Sequence, residues 1–561
     1  MQLERIEIVG FRGIQRLSIG FDEITTLLGE NTWGKSSLLD ALCIALPHNG
    51  QLYPFQIQDF HVNYALSQPQ TQHIQIVTQW RTQHKSEHLS ARYRRLKPIW
   101  IDSDHADNDK NSDSEDTKSF LFQISAIRNE HKVSTHYQFL DWEGNVLAIH
   151  DCEQLALELS RLHPVIRLRD ARRLHQQNEE VIFSDDNDKE KIERRVNNTY
   201  RRLSAMPGHV NKAELKSTIN AMQHLIEHYF SFQNQPKQNP REARDGLFSG
   251  LSESINPNKD SLIHLLKSNK NHQSKLLLMG LLNAYFQAKG AADISQSARP
   301  IMILEDPESR LHPTNLLKSW ELLQMIPMQK IVTTNSGILL SAVPFFSIRR
   351  LVRQSDKTVA LSIPHHLLSH DELRRISFHI RFHRPNALFA RSWLLVEGET
   401  EFWLFNELAK VCGYQLANEG IQLVEFAQSG LKSLIKVAKA LKIDWHVVTD
   451  GDAAGNKYAT TVRSLLEQDL EQHRLTELPD KDIENFLYHH GFEKFFRDLI
   501  NIPIDQPVSA KKVINRVLKK HAKPDVALSI AEYCEQQGIE QIPQLLRRIL
   551  KRVITMANGN N

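Results

Sequence analysis

The sequence predicts an α/β protein of several domains, and three stretches of the chain support that prediction. Near the start, the apolar residues 24–28 precede a glycine-containing loop and a helical pattern at residues 38–46. Much later, two apolar segments at residues 394–396 and 446–449 each run into acidic residues. Apolar strands that alternate with helical patterns are typical of α/β folds with parallel sheets.

The overall composition is that of a globular protein, with 41% hydrophobic and 24% charged residues. A chain of 561 residues is expected to form about two to four domains. The net charge of +3 limits any nucleic-acid surface to a local patch. The four cysteines have no paired spacing, which argues against a disulfide framework or a zinc site. With no signal peptide and no apolar run of membrane-spanning length, we expect a cytoplasmic protein without a membrane partner.

The loop that follows residues 24–28 has the pattern G-x-x-x-x-G-K-S between a predicted strand and a predicted helix. In that context the motif binds nucleotide phosphates, because its glycines let the backbone approach closely and the helix N-terminus directs N–H groups at the phosphate. We predict that Lys35 reaches the β- and γ-phosphates of ATP and that Ser36 holds Mg²⁺. The predicted cofactor-binding residues of the loop are Gly29, Asn31, Gly34, Lys35, Ser36 and Ser37.

A protein with such a phosphate-binding loop, or P-loop, needs an acidic residue at the end of another core strand. The apolar residues 301–304 followed by Glu305 and Asp306 fit that need. One acid would assist Mg²⁺ and the next would orient the attacking water. A strand with a solvated acidic turn is the alternative. A further strand is predicted at residues 330–334, and Asn335 at its polar end is a candidate sensor of the γ-phosphate.

The chain between these two motifs is longer than a minimal ATPase core needs. Residues 102–118 are acidic and polar, which predicts a disordered loop. Helical periodicity predicts an inserted helical arm at about residues 185–260. Either phosphate contact or a solvated helix face would explain the arginines before and within this arm, which are Arg167, Arg169, Arg172, Arg173, Arg194, Arg195, Arg201 and Arg202.

The acids at the ends of the two C-terminal strands predict a divalent metal site. Glu397 ends one strand, Glu401 follows four residues later, and Asp450 and Asp452 flank a glycine after the other strand. Carboxylates gathered at one sheet edge repel one another unless a cation lies between them. An open site with Mg²⁺ or Mn²⁺ is suited to phosphodiester chemistry. The alternative is an acidic turn on an ordinary α/β domain.

Several of these motifs together resemble a known family. Residues 10–14 (Gly-Phe-Arg-Gly-Ile), the P-loop, and Glu-Asp-Pro-Glu at 305–308 followed by Leu-x-Pro resemble the ABC-type ATPases of the RecF/SMC group. The C-terminal patterns E-G-x-x-E and D-x-D are similar to a TOPRIM domain. The chain therefore resembles the OLD family, in which an ABC-type ATPase is fused to a TOPRIM nuclease domain.

The resemblance also extends the candidate site. It implies a ligand for a second metal at Glu484 and a lysine near the metals at Lys523. The candidate metal ligands are then Glu397, Glu401, Asp450, Asp452 and Glu484, with Ser36 at the nucleotide site. The candidate catalytic residues are Glu397, Glu401, Asp450, Asp452, Glu484 and Lys523.

The chain departs from the family pattern at the nucleotide site. The usual acid pair is Asp-Glu, whereas here it is Glu305 followed by Asp306. Asn335 stands where the family usually has a switch histidine, and Trp33 stands in the P-loop. The nearest candidate for an LSGGQ-like signature is at residues 271–275. We therefore expect slow ATP hydrolysis, or nucleotide binding without turnover.

The resemblance implies three domains and a set of partners. We expect an ABC/RecF-like ATPase domain at residues 1–385, a TOPRIM domain at 386–500 and a basic helical region at 501–561. The implied cofactors are ATP and Mg²⁺ or Mn²⁺, and the implied partners are DNA and a second copy that dimerises through the ATPase heads. Whether an accessory protein also binds is left open. Phage defence is a common role in the family.

We expect an ATP-binding, metal-dependent DNA endonuclease that nicks or cleaves phosphodiester bonds at a two-metal TOPRIM site. The alternative is a RecF-like, ATP-gated mediator of DNA binding or repair whose TOPRIM module does not cleave. A topoisomerase is disfavoured because none of the eleven tyrosines stands in a recognisable cleavage setting. A primase is disfavoured because no polymerising scaffold accompanies the ATPase motifs.

Overall fold

The computed structural model describes residues 1–47, 50–62, 71–84, 86–102, 117–129, 132–168, 298–309, 313–324 and 328–559. These residues form two compact units, one within residues 1–335 and 342–360 and the other within residues 336–341 and 361–561. Several sequence-based expectations lie outside the described residues: the arm at about 185–260, the arginines from Arg169 onward, most of the loop at 102–118, the signature candidate at 271–275 and the leucine of the Leu-x-Pro motif.

The first unit contains an antiparallel sheet in which the strand order is β2-β1-β4-β6-β5, with β7 paired to β6. Buried and partly exposed residues alternate along β4, as expected for a strand with one covered face. The strands are β1 (Gln2–Phe11), β2 (Ile14–Gly20), β4 (His73–Arg81), β5 (Ile101–Asp102), β6 (Lys118–Asn129) and β7 (Lys132–Leu140).

A second sheet of six strands has the order β12-β11-β3-β10-β9-β8. Its central strands are parallel and almost wholly buried, which is usual for strands covered on both faces. Thr333 lies opposite both Leu27 and Glu305, so the ends of three neighbouring strands meet at one edge. The strands are β3 (Ile24–Leu28), β8 (Val165–Leu168), β9 (Ile301–Glu305), β10 (Lys330–Thr333), β11 (Ile348–Arg353) and β12 (Thr358–Ser362).

The helix that follows the P-loop is anchored in the core of the first unit. This helix, α1 (Lys35–Ala45), buries Leu38, Leu39 and Leu42 in the core that also contains Ile6 of β1. Each fully buried leucine stabilises the fold by roughly 1.5–3 kcal/mol. The next helices along the chain are α2 (Cys152–Leu162), α3 (Pro313–Gln324) and α4 (Gly337–Ala342), of which α4 lies mostly in the second unit.

The second unit is built on a parallel four-stranded sheet with the order β14-β13-β15-β16. Every residue of the central strand β13 is buried. Leu395 of β13 lies opposite Val424 on one side and Val447 on the other. The strands are β13 (Ser392–Val396), β14 (Ile421–Glu425), β15 (Asp444–Thr449) and β16 (Leu475–Glu477).

Helices surround this sheet and continue to the end of the described chain. One core contains Leu404 and Leu408 of α6 together with Ile530 and Cys534 of α13. The helices are α5 (His370–Ile376), α6 (Glu399–Val411), α7 (Leu431–Ala440), α8 (Ala453–Arg463), α9 (Glu471–Arg474), α10 (Ile483–Leu487), α11 (Glu493–Asp498), α12 (Ala510–Lys520), α13 (Lys523–Gln537) and α14 (Gln544–Ala557), with π-helical segments at Ser377–His383 and Tyr488–Phe492.

The predicted α/β fold class with a helical C-terminus is confirmed. The domain boundaries at 385/386 and 500/501 stay predictions. Within the described ranges, no helix is both long and apolar enough to span a membrane.

Candidate metal centre and nucleotide-binding loop

The acids predicted as metal ligands follow three neighbouring strands of the second unit. Glu397 comes directly after β13 and Asp450 directly after β15, which pairs with β13. Glu484 follows β16, which pairs with β15 on its other side. Because the three strands are parallel, their carboxyl ends lie at one edge of the sheet.

The carboxylate of Glu397 has an oxygen available to a ligand. Its Oε2 is buried and has no hydrogen-bond partner among the described residues. Burial raises the pKa of Glu397, the Asp452 carboxylate raises it further, and Lys523 opposes the rise. A buried oxygen without a donor is unfavourable unless a cation or another donor reaches it, so Glu397 fits a metal ligand.

Asp450 lies at the centre of the acidic cluster. Its pKa is raised to about 8, first by burial and then by four other carboxylates, those of Glu401, Glu397, Asp482 and Glu484. Like charges that share a site disfavour the ionised form, and a divalent cation removes that cost. The donor set therefore fits Mg²⁺ or Mn²⁺, since all its ligands are carboxylate oxygens.

Two acids of the cluster also cap helices. The Oε2 of Glu401 accepts the Gly398 N–H at 3.1 Å, at the start of α6. The Oδ1 of Asp452 accepts the N–H groups of Ala454 and Gly455, both at 2.8 Å, at the start of α8. These bonds fix the side chains and leave each carboxylate a second oxygen.

Glycines allow the Asp450–Asp452 turn to form. A Cβ on Gly455 would lie 1.9 Å from the carbonyl oxygen of Asp450, and a Cβ on Gly451 would lie 2.4 Å from that of Asp480. The Gly451 N–H donates to the same Asp480 oxygen at 2.9 Å. Gly455 was not among the predicted site residues, although it is the glycine of the pattern D-x-D-x-x-G that begins at Asp450.

Glu484 and Lys523 meet at the same cluster. Glu484 is buried in α10, and its Oε1 lies 3.5 Å from the Thr400 hydroxyl and 3.6 Å from the Lys523 Nζ. Asp482, two residues earlier, caps α10 by accepting the Asn485 N–H at 2.8 Å. Asp482 was not among the residues predicted for the site, although its carboxylate raises the pKa of Asp450.

The carboxylates are near one another, but they do not converge on a common coordination point. In the part of the chain that the structure describes, no three His, Cys, Asp or Glu side chains are close enough to enclose a metal ion.

In the first unit, the P-loop joins β3 to α1 with Gly34 in the left-handed conformation, at a φ of 92°. A Cβ on Gly34 would lie 3.0 Å from Cγ1 of Ile14. Lys35 is buried, and its Nζ donates to the Gly29 carbonyl and to Oδ1 of Asn335, the latter at 3.2 Å. Burial lowers the pKa of Lys35, whereas Asp306 and Glu308 raise it.

The three polar side chains predicted beside the lysine differ in their surroundings. Asn31 and Ser36 are exposed, as a phosphate or a metal ion would require. The Ser37 hydroxyl instead accepts the Gly13 N–H at 3.2 Å, so it links the loop to the turn between β1 and β2.

The two acids at the end of β9 face different partners. Glu305 is buried and accepts from Nε and Nη2 of Arg167 at 2.9 and 2.8 Å, and Arg167 also pairs with Asp40. Asp306 has a φ of 45° and accepts from the Thr333 hydroxyl at 3.0 Å. Of these two acids it is Asp306 that, together with Glu308, raises the pKa of Lys35.

Glu308 is a third acid of this region, and it was not among the predicted site residues. It accepts the Asn335 N–H at 2.6 Å and the Thr334 hydroxyl at 3.0 Å. Burial raises its pKa. Only the Glu-Asp-Pro-Glu motif itself pointed to Glu308.

Two family matches meet a few residues before β13. The family described as "Protein of unknown function (DUF2813)" matches residues 1–387. The domain described as "Overcoming lysogenization defect protein-like, TOPRIM domain" matches residues 388–452, which include Glu397, Glu401, Asp450 and Asp452.

Similar proteins and structures were found for the whole chain and for its parts. "Uncharacterized protein YbjD" of Escherichia coli (strain K12) is 39% identical over 567 residues, covering 100% of both chains. "Old nuclease" of Escherichia phage P2 is 27% identical over 201 residues, 34% of each chain. The C-terminal region of the Burkholderia pseudomallei OLD protein is 20% identical, with a TM-score of 0.25 over 30% of this chain and 99% of that one. The SMC head domain from Thermotoga maritima is 11% identical, with a TM-score of 0.29 over 65% of this chain and 100% of that one.

Proposed function

Because the chain belongs to the DUF2813 family and is an OLD-family ATPase–TOPRIM protein, we propose that it is a metal-dependent DNA endonuclease that binds ATP. The observation that carries the proposal is the cluster around Asp450, whose pKa is raised to about 8 by burial and four neighbouring carboxylates. Perturbed carboxylates at one sheet edge are typical of functional sites. The similarity to the Old nuclease of phage P2 over 34% of the chain supports the same activity.

In this proposal, Glu397, Glu401, Asp450, Asp452 and Glu484 hold the divalent ions. Mg²⁺ or Mn²⁺ would supply the Lewis acidity for hydrolysis of a phosphodiester bond. The capping bonds of Glu401 and Asp452 hold one oxygen of each carboxylate, which limits the loss of side-chain freedom when the other oxygen binds an ion. Lys523, beside Glu484, is placed to contact a phosphate oxygen of the substrate.

A basic helix next to Lys523 supports a nucleic-acid substrate. α12 buries Val513, Ile514 and Val517, and its opposite face exposes Lys511, Lys512, Arg516, Lys519 and Lys520. α12 carries no acidic residue, and it ends shortly before Lys523 begins α13. A row of cations of this kind suits the phosphate backbone of DNA, and its contribution weakens as salt rises.

Cleavage of supercoiled plasmid tests the proposal. The full chain with Mg²⁺ or Mn²⁺ is expected to convert supercoiled plasmid to the nicked or linear form, and Asp450→Ala is expected to abolish the conversion. Asp505→Ala changes an exposed acid elsewhere in the second unit and serves as the matched control. Plasmid that stays intact with the parent protein across a full series of divalent metals would contradict the nuclease proposal and favour the ATP-gated, non-cleaving mediator.

The ATP part of the proposal rests on the P-loop and its acids. Lys35→Ala is expected to remove ATP binding, because the buried ammonium supplies the positive charge for the phosphates. The plasmid assay with and without ATP, on the parent and on this variant, shows whether nucleotide regulates cleavage. Light scattering with ATP tests the expected homodimer through the ATPase heads.

A further inference from the structure

A groove within the second unit leads away from the acidic cluster. It consists of two adjoining cavities that share Arg384, Glu425 and Gln428. One cavity, of about 390 Å³, is lined by Glu397 and Trp403. The other, of about 200 Å³, is lined by Phe378 on the π-helical segment Ser377–His383. The groove therefore connects a candidate metal ligand to a surface segment that no proposed role has used so far.

Exposed aromatic rings distinguish this part of the surface. Among the Phe and Trp side chains of the described residues, only Phe378, Phe382 and Trp403 are exposed, with 54%, 59% and 36% of their surface in contact with solvent. Phe378 and Trp403 line the groove, and Phe382 lies on the same π-helical segment. Exposed aromatic rings that gather at one place mark binding surfaces more often than chance exposure does.

Neighbouring side chains hold the groove in shape. The Arg384 guanidinium lies 4.4 Å from the centre of the Phe402 ring, 3.0 Å from Oε1 of Glu425 and 3.2 Å from the Leu423 carbonyl oxygen. The rings of Phe378 and His383 lie 4.7 Å apart. Arg384 thus offsets the negative charge of Glu425. Because these contacts are already made, the groove has its shape before a ligand binds.

The charge and chemistry of the groove favour bases over a phosphate backbone. Its permanently charged cation is the Arg384 guanidinium, burial lowers the pKa of His379, and its acids are Glu425, Glu399 and Glu397. This mixture gives no strong attraction for phosphates, and a duplex hides its base faces. Aromatic rings instead provide stacking platforms for bases that are not paired.

We propose that this groove binds unpaired nucleotides of the DNA substrate by stacking their bases on Phe378, Phe382 and Trp403. Its continuity with Glu397 places such nucleotides beside the acidic cluster. The substrate class is then DNA with a single-stranded segment next to the bond that is cut. This assignment rests on the proposed nuclease function and specifies the substrate of the same site.

The first test measures binding without cleavage. Fluorescence anisotropy in EDTA compares a labelled single strand with a blunt duplex of the same sequence, using the full chain. The double variant Phe378→Ala/Phe382→Ala is expected to bind the single strand at least tenfold more weakly, because it removes two of the three rings on which bases would stack. Its affinity for the duplex is expected to stay within about twofold of the parent, because duplex contacts are phosphate contacts.

Two further variants make the result specific. Leu470→Ala/Ile504→Ala removes two apolar side chains of the same unit that are exposed to a similar extent, 59% and 57%, and do not line the groove. This control is expected to bind both DNAs like the parent. Trp403→Ala tests the other end of the groove and is expected to weaken single-strand binding alone. Unchanged single-strand binding in both groove variants, or equal losses on both DNAs, would overturn the inference.

Cleavage separates this inference from the proposal on which it rests. The parent is expected to cut a plasmid with a single-stranded gap faster than the intact plasmid. Phe378→Ala/Phe382→Ala is expected to cut both plasmids at the same rate. If the parent cuts neither plasmid, the nuclease proposal fails, and the anisotropy result still decides what the groove binds. If light scattering shows that the double variant loses self-association without losing single-strand affinity, the aromatic surface is a protein interface and the inference is wrong.

Discussion

The Nζ of Lys523 lies 3.6 Å from Oε1 of Glu484. The lysine begins α13, whereas the glutamate lies in α10, so an exposed cation and a buried carboxylate from separate helices meet at the acidic cluster. Lys523 also opposes the rise in the pKa values of Glu397 and Glu401. A single ammonium group thus acts on three of the proposed metal ligands.

Lys523→Ala is expected to reduce plasmid cleavage by roughly 10–100-fold, as for other residues that support metal ligands. The fold should not change, because the lysine side chain is more than half exposed. Lys519→Ala, on the exposed face of α12, is the control and is expected to weaken DNA binding without reducing cleavage at saturating DNA. Equal effects of the two substitutions at saturating DNA would show that Lys523 contributes only general positive charge.

Metal binding is expected to depend on pH through Asp450. The pKa of this carboxyl is raised to about 8, whereas an unfolded chain ionises it near pH 4. The metal-free folded protein therefore keeps a proton that the unfolded chain has lost, so the free energy of unfolding falls as pH rises between about 4 and 8. A metal ion must displace this proton, so the apparent affinity for Mn²⁺ should rise by up to about tenfold per pH unit below pH 8 and level off above it.

Isothermal titration at pH 6, 7 and 8 measures that dependence. Asp450→Asn removes the titrating group, so its weaker Mn²⁺ binding is expected to change much less with pH. An affinity for the parent protein that is flat between pH 6 and 8 would contradict the assignment of Asp450 as the protonated centre of the cluster.

Gly455→Ala tests whether the turn positions the acids. The added Cβ would lie 1.9 Å from the Asp450 carbonyl oxygen, so the backbone between Asp450 and Asp452 must shift. We expect loss of plasmid nicking and of Mn²⁺ binding, with a destabilisation of about 1–3 kcal/mol. Gly20→Ala is the control, because its Cβ would have 3.6 Å to the nearest heavy atom. A Gly455→Ala protein that cleaves like the parent would show that the turn tolerates a side chain.

Much of this site could be predicted because strand patterns and glycine motifs are local. An apolar segment ending in Glu397 or Asp450 shows where a carboxylate leaves a sheet, and parallel strands bring such ends to the same edge. The P-loop was recognisable for the same reason. The position of Lys523 came from the family resemblance, since its own neighbours in the chain indicate only a basic helix.

Contacts between residues far apart in the chain could not be predicted. Glu305 was expected to assist Mg²⁺, but its side chain pairs with Arg167 of a strand that precedes it by more than a hundred residues. Asp482 was overlooked because its local role is to cap α10. The aromatic groove depends on a π-helical segment, whose irregular spacing gives no simple periodic pattern.

The pairing of Glu305 with Arg167 leads to different expectations for the two acids after β9. Glu305→Gln leaves the partly buried Arg167 without one of its carboxylates and is expected to lower the free energy of unfolding by about 1–3 kcal/mol. Asp306→Asn is expected to keep the stability of the parent within about 0.5 kcal/mol, because asparagine tolerates the left-handed conformation that Asp306 adopts.

Asp306→Asn is expected to slow ATP hydrolysis at least tenfold while ATP binding persists, because Asp306 rather than Glu305 contributes to the field at Lys35. Thermal unfolding and phosphate release measure the two effects separately. Glu305→Gln should hydrolyse ATP at a temperature well below its unfolding transition, since in the parent protein the Glu305 carboxylate is already held by the Arg167 guanidinium. The reverse outcome would be a stable Glu305→Gln protein that does not hydrolyse ATP and an Asp306→Asn protein that does. It would show that Glu305 assists Mg²⁺ and that Arg167 must release the Glu305 carboxylate when nucleotide binds.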